Sequence, residues 1–472
     1  MTDSLNALLG QKTSYEDSLG EARLETGDNQ GVSSKSGVSG ISEAKFEIYT
    51  ENLLEEIVSK KNLHEAYKQV KKNNGSHGVD GMTVSELLPY LKENVDSLVK
   101  DLLEENYQPQ PVRRVEIPKS SGGTRPLGIP TVLDRLIQQA IKIVIEKYFE
   151  PNFSRNSYGF RPGKSAHDAL KRAKVYIEEG RNIAVDMDLE KFFDNINHDL
   201  LMTKTAKRIK DKRVLRLIRK YLNSGIMLKG MLVKNEKGAP QGGPLSPICS
   251  NIMLDSLDKE LEKRGHTFVR YADDVTIYVK SKRAGHRVLK SITRFLAKEL
   301  KLVVNQEKSA VDIVTRRKFL GYSFYYSRGD VHFRVPKKSF EKLKDKIRKI
   351  TNRNVSMSFD LRMKKLKDLV VGWVNYFKLA NMKAKLKALD QWVRRRLRAT
   401  IWKIWKKVST RFKNLKKLGI SRDKAWEFAN TRKGYWRISN SPILNRSITN
   451  KKLIKRGYIS FSSQYNKVKL SI

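Results

Sequence analysis

Residues 268–281 read FVRYADDVTIYVKS. Two apolar runs of β-forming residues close on a pair of adjacent acids, Asp273 and Asp274. Such runs favour strands, and a polar break between them reads as a tight turn. Neighbouring strand residues point to opposite faces, so both carboxylates reach one point only if they sit at the turn itself. Two like charges side by side repel, and burial raises the cost of each. A simple hairpin turn is the ordinary explanation for Asp-Asp taken alone, because Asp is common in turns.

The stretch 181–193, RNIAVDMDLEKFF, alternates in the same way. Ile183, Val185, Met187 and Leu189 share one face; Asp186 and Asp188 share the other. A third carboxylate beside the hairpin completes a set of hard oxygen ligands suited to Mg²⁺. Two such ions about 4 Å apart can activate an attacking hydroxyl and stabilise a leaving pyrophosphate, which is nucleotidyl-transfer chemistry. The chain's charge points to the polymer. It has 95 Lys+Arg against 50 Asp+Glu in 472 residues, a formal net charge of +45. That excess repels itself unless a polyanion neutralises it, and nucleic acid is the partner it implies. A single cysteine, Cys249, excludes a disulfide framework or a multi-cysteine zinc site. No signal-peptide pattern or membrane-length apolar run is present, so a soluble intracellular protein without a membrane partner is expected.

Residues 1–45 carry seven acids and four bases and include the Gly/Ser-rich GDNQGVSSKSGVSGIS, which reads as a disordered acidic extension. Helical spacing begins near residue 46, with helices over 52–70 and 83–107, and short β pieces follow around Val112–Ile117. A long helix starts near Thr131, where Thr131 and Asp134 form a helix-start pattern. Strands interspersed with helices, without a repeated βαβ unit, indicate an α+β core. Beyond about residue 340 the chain is helical and basic. Residues 392–418 hold eleven Lys/Arg and no acid, with an apolar stripe of Ile401, Trp402, Trp405, Val408, Phe412 and Leu415. A membrane-surface or calmodulin-target helix has this pattern. A basic helical region gripping duplex phosphates fits better beside a nucleotidyl-transfer site. Residues 430–458 mix cations with Tyr435, Trp436 and Tyr458, which suits RNA or single-stranded DNA; the aromatics equally suit the core of a small helical domain.

Seven stretches, in order, carry a specific resemblance: GTRPLGIPTVLDRLIQQAI (123–141), SYGFRPGKSAHDAL (157–170), DMDLEKFFDNINHDLL (186–201), GAPQGGPLSPICSNIMLDSLDKEL (238–261), FVRYADDVTIYVKS (268–281), VNQEKSAV (304–311) and KFLGYSF (318–324). With GWVNYF (372–377) they resemble the bacterial group II intron-encoded reverse transcriptase/maturases, from about residue 50 to the C-terminus. The resemblance implies a right-hand polymerase. Its parts are an N-terminal helical extension of the fingers (46–110), fingers (111–180), a palm with an antiparallel sheet (181–330), a helical thumb or maturase domain (331–415) and a small basic C-terminal region (416–472). It implies an RNA-directed DNA polymerase that takes an RNA template, a DNA primer and dNTPs, with two Mg²⁺ ions as cofactors. The same protein would bind its group II intron RNA, assist splicing, and support retrohoming by target-primed reverse transcription into target DNA.

By motif position the resemblance makes Asp188 the first catalytic carboxylate. Asp186 competes, but the family places an aromatic five residues after the catalytic acid, and only Asp188 has one there, Phe193. Phe193 then lies beneath the incoming sugar and disfavours a 2′-hydroxyl; an ordinary core position is its other reading. The Leu189 carbonyl helps bind metal. Asp273 is a direct ligand, and Asp274 either a ligand or a group behind it. Lys119 and Arg125 meet the triphosphate, Gln241 and Gly242 contact nucleotide or template, and Lys308 faces the leaving pyrophosphate or stays a surface lysine. His198 and Cys249 are packing or surface residues. No cysteine pairs of a zinc-supported endonuclease are present, which resembles the compact group IIC type and leaves the primer to a nick or a replication fork. Alternatives are a domesticated or defence-associated reverse transcriptase, or a splicing factor without polymerase activity. A cytoplasmic, nucleoid-associated location is expected; monomer and dimer both remain open.

Overall fold

The computed structural model describes residues 51–118, 123–228, 231–233 and 237–470. The acidic extension 1–45 and Lys119 lie outside the described residues. Among the described residues ten strands form three sheets: β1 Val112–Pro118, β2 Thr124–Ile129, β3 Ile183–Met187, β4 Ile226–Leu228, β5 Met231–Val233, β6 Thr267–Tyr271, β7 Asp274–Val279, β8 Ala310–Ile313, β9 Ser323–Ser327 and β10 Asp330–Arg334. The N-terminal sheet runs β2-β1-β4-β5, the central one β6-β7-β3-β8, and β9 and β10 form a hairpin. The α+β architecture is as the sequence indicated.

The long helix, Val132–Phe149, starts where Thr131 Oγ1 accepts the Asp134 amide at 3.0 Å. Such a cap satisfies a donor that the first helical turn leaves unpaired. Its apolar residues are buried against the helix Lys60–Asn73, and Asn62 crosses the seam to donate to the Ala140 carbonyl at 3.1 Å.

The central sheet is antiparallel throughout, and it is buried on both faces. Val185, Met187, Val275 and Ile277 enter a core shared with the N-terminal helices and the helix Ser246–Lys263. Ala184, Val269 and Tyr278 enter a second core that continues through β9 and β10 into the helices Lys337–Ile350, Phe359–Tyr376 and Lys383–Ile404 and the short helices after them. The period-2 alternation of β3 therefore sorts residues between two interiors, with no solvent face. An acid on β3 needs a partner there, and Asp186 has one in Arg317.

The stripe across 392–418 does not lie on one continuous helix. The helix ends at Ile404, the chain turns through Trp405–Lys407, and a new helix covers Val408–Lys417. Ile401, Trp402, Trp405 and Leu415 are buried in the second core. Arg411 lies over the Trp402 ring at 4.9 Å and donates to the Trp405 carbonyl at 3.0 Å. Most of the stripe is thus consumed by packing, with Val408 left exposed. Among the described residues no helix is long and apolar enough to cross a membrane.

A carboxylate site at the end of the central sheet

Asp188 is the first residue past β3. Its backbone is held by the 304–309 loop: its carbonyl accepts the Asn305 amide at 2.8 Å, and its amide donates to Ser309 Oγ at 3.0 Å. Leu189 pairs with Val304 across this seam, but the hydrogen bonds of the pairing come from the Glu190 amide and the Asp188 carbonyl, not from the Leu189 carbonyl. The same loop brings Lys308 Nζ to 3.2 Å from Asp188 Oδ2. That approach is poorly directed, and Asp188 Oδ2 is buried without a hydrogen-bond partner.

The β6–β7 hairpin supplies the other two acids. Tyr271 pairs with Asp274, which leaves Ala272 and Asp273 as the turn. Ala272 is left-handed, with φ +57°. A side chain at positive φ is strained by about 1 kcal/mol or more and persists only where its surroundings hold it. Here the turn is held from two sides. Arg270, completely buried, donates to the Ala272 carbonyl at 2.9 Å and to Asn251 Oδ1 at 3.0 Å. Its other nitrogens grip Asp258, also completely buried, at 2.7 and 2.6 Å. Asn251 then reaches the Gly159 carbonyl at 3.0 Å. Gly159 lies flat on the turn: a Cβ there would stand 2.1 Å from the Ala272 nitrogen.

The acids feel one another. Asp273 is raised above the usual carboxylate range, by burial first, with Asp188 adding to the rise and Arg125 opposing it. Asp274 is exposed as a residue. It is still pushed up to about 6, by desolvation first and then by the charges of Asp273, Asp188 and Asp186. Asp186 differs. Thr276 Oγ1 donates to it at 2.9 Å and Arg317 Nε at 2.5 Å. Burial raises it while Arg317 pulls it down. Of the two acids in DMD, Asp186 accepts two side-chain hydrogen bonds, whereas Asp188 Oδ2 accepts none and has only the Lys308 ammonium beside it.

Among the described residues no three metal-ligating side chains are gathered at ligand distance. The donor set still fits hard divalent cations. It has carboxylate oxygens only, one of them buried without a hydrogen bond, and acids whose repulsion a cation would relieve.

Phe193, Gln241 and Arg125 come together at the edge of the N-terminal sheet. Phe193 is buried and meets Phe192 edge to face, with ring centroids 5.1 Å apart. With Gln241, Arg114, Leu127, Gly128 and Pro240 it lines a cavity of about 180 Å³. Arg125 Nε donates to Gln241 Oε1 at 2.7 Å. Gly242 takes φ +128°, and a Cβ there would lie 2.4 Å from the Gly128 carbonyl oxygen, so its Cα seats this segment on β2. The three acids do not line that cavity. His198 and Cys249 are buried; His198 Nε2 lies 2.7 Å from the Gly238 carbonyl. Tyr376, at the end of the helix Phe359–Tyr376, joins the helical half to this site. Its hydroxyl donates to the Leu320 carbonyl at 2.8 Å, and the Asp274 charge reaches it.

The sequence did not single out Arg270, Asp258, Asn251, Gly159, Ser309 or Arg317. An arginine inside the apolar run FVRYADD was a readable signal, because an arginine in a strand that must be buried needs an acid. Which acid it takes, and that a glycine lies against the turn, depends on tertiary packing.

Comparison with known proteins agrees with this architecture. The family described as reverse transcriptase (RNA-dependent DNA polymerase) matches residues 117–324. The group II intron maturase-specific domain matches residues 340–419. Protein YkfC of Escherichia coli (strain K12) is 33% identical over 302 residues, which cover 55% of this chain and 79% of YkfC. The chain belongs to the group II intron reverse transcriptase/maturase family. The group II intron-encoded protein LtrA of Lactococcus lactis subsp. cremoris is 37% identical over 232 residues, 48% of this chain and 38% of LtrA. The putative COX1/OXI3 intron 2 protein of Saccharomyces cerevisiae is 32% identical over 319 residues, 54% of this chain and 37% of that protein. This family member therefore spans well under half the length of those two relatives. Its reverse transcriptase domain holds the carboxylate site, and its maturase domain begins just beyond β10.

Proposed function

We propose that this protein extends a DNA primer along an RNA template, and that it also binds a group II intron RNA and assists its splicing. One observation carries the polymerase half: Asp188 and the Asp273–Asp274 turn, from separate strands, share one electrostatic site at the end of the central sheet. In this reading Asp188 and Asp273 hold Mg²⁺, with Asp274 and the Leu189 carbonyl as further oxygens. When bound, two such ions supply the charge that activates the primer 3′-hydroxyl and stabilises the departing pyrophosphate. The remaining roles belong to the chain. Arg125, with Lys119, meets the triphosphate. Gln241, tied to Arg125, orients nucleotide and template, and Gly242 holds that segment against β2. Phe193, in the cavity wall beside Gln241, lies under the sugar and disfavours a 2′-hydroxyl. Lys308 follows the phosphate charge as pyrophosphate forms.

The maturase half rests on family membership and on the cationic helices beyond residue 340. Residues 46–110 would then be the helical extension of the fingers, 111–180 the fingers, 181–330 the palm, 331–415 the thumb and 416–472 a nucleic-acid-binding region. Target-primed synthesis at a DNA site completes the reading.

A primer-extension assay with RNA template, dNTPs and Mg²⁺ tests the choice of carboxylate. Asp188→Asn is expected to lose about a thousandfold or more in rate. Asp186→Asn, which keeps the Thr276 hydrogen bond, should retain most of the activity. The reverse pattern would make the site assignment wrong.

A further inference from the structure

Away from the carboxylates, the helix Lys383–Ile404 and the short helices after Tyr435 flank an open hollow of about 470 Å³. Arg394, Arg395, Arg398, Asn440, Asn445 and Asn450 are among its lining residues, and none of its lining residues is acidic. A hollow with guanidiniums and carboxamides and no carboxylate is suited to an anion that also presents hydrogen-bonding edges.

One wall is already arranged as a stack. The Arg395 guanidinium carbon stands 3.9 Å from the centre of the Trp436 ring, and its Nη2 donates to the Trp436 carbonyl at 3.1 Å. Its Nε is buried and has no hydrogen-bond partner. Trp436 in turn lines an adjoining cavity of about 340 Å³ with Arg353 and Arg396. The stacked pair therefore links two cationic hollows, Arg395 lining the first and Trp436 the second. A duplex keeps its bases paired and stacked on one another, whereas an unpaired nucleotide is free to lay its base on such a plane. Unpaired RNA is recognised in this way: bases stack on aromatic rings or guanidinium planes, and side chains read their edges.

We infer that these two cavities bind an unpaired segment of RNA, with a base stacked against the Arg395–Trp436 pair. Asn440 and Asn445 read that base's edge or its 2′-hydroxyl, and Arg394 meets the adjacent phosphate. The assignment rests on the reading of the chain as an RNA-binding maturase. It adds a site for single-stranded RNA, separate from the polymerase centre and from any duplex grip.

Arg395→Lys separates stacking from charge, because it keeps the cation and removes the plane. Binding of a short labelled oligouridine, of the matching DNA strand and of an RNA duplex of equal length is measured by fluorescence anisotropy on the full chain. Arg395→Lys should weaken oligouridine binding about tenfold, the worth of one stacked base, and leave duplex binding unchanged. Asn440→Ala, at an exposed position that spares the fold, should weaken it too. Two results overturn the inference: variants that bind oligouridine like the unaltered protein, or equal losses for single strand and duplex. Equal affinity for the DNA strand overturns the assignment to RNA. Splicing of a group II intron RNA with the unaltered protein is assayed alongside. If Arg395→Lys loses oligouridine binding but the unaltered protein does not assist splicing, only the maturase reading fails.

Discussion

Asp274 has the most informative acidity in the molecule. An unfolded aspartate titrates near 4, whereas here it titrates at about 6. Between those values the folded protein holds a proton that the unfolded chain has released. Stability without metal therefore falls as pH rises through this window, and recovers as Asp274 is protonated below it. A divalent cation acts in the opposite sense, because it binds the carboxylate form and relieves repulsion from Asp273, Asp188 and Asp186. Thermal melts with and without MgCl₂ check this. Mg²⁺ should raise the melting temperature at about pH 7.5 and lose most of that effect near pH 5, where Asp274 is protonated. In Asp274→Asn the Mg²⁺ gain should be smaller and flatter with pH. An equal gain at both pH values in the unaltered protein would contradict the assignment.

At the scale of elements, the β6–β7 hairpin depends on a buried charge pair. Breaking such a pair by removing one partner costs about 3–5 kcal/mol, because it strands the other charge in the interior. Arg270→Met should destabilise the protein by that amount in urea unfolding, whereas Arg270→Met with Asp258→Leu should cost much less. DNA synthesis should stay slow in both, since the Ala272 carbonyl has lost its donor in each. Recovery of activity along with stability in the double variant would show that Arg270 serves the fold alone. The hairpin itself was legible in FVRYADDVTIYVKS, and so was the Thr131 cap, because both follow from local periodicity and local hydrogen bonds. The device that holds the turn was not, because Asp258, Asn251 and Gly159 reach it from elsewhere in the chain. The stripe from Ile401 to Leu415 misled for a related reason. Periodicity alone does not show where a helix breaks, and the packing of Trp402 and Trp405 is what turns the chain inward.

Across the whole molecule, a net charge of +45 sits on a framework whose central sheet is buried on both faces. One core supports the N-terminal helices and one face of that sheet; the other joins its opposite face to the maturase half. The carboxylate site and the cationic helices are thus built on the same sheet yet draw on different side chains. That separation would let one chain carry both of the proposed activities. Composition made nucleic acid legible, and ordered motifs made the family legible. The placement of Lys308 beside Asp188, and of Arg317 on Asp186, came only with the fold. The most direct test of the account is Asp273→Ala, a side chain in a turn whose removal leaves the Arg270 clamp intact. The variant is assayed for DNA synthesis on an RNA template and for splicing of its group II intron RNA. Synthesis should fall by about a thousandfold or more while splicing is retained. A folded variant that still makes DNA, or that loses splicing together with synthesis, would contradict the account.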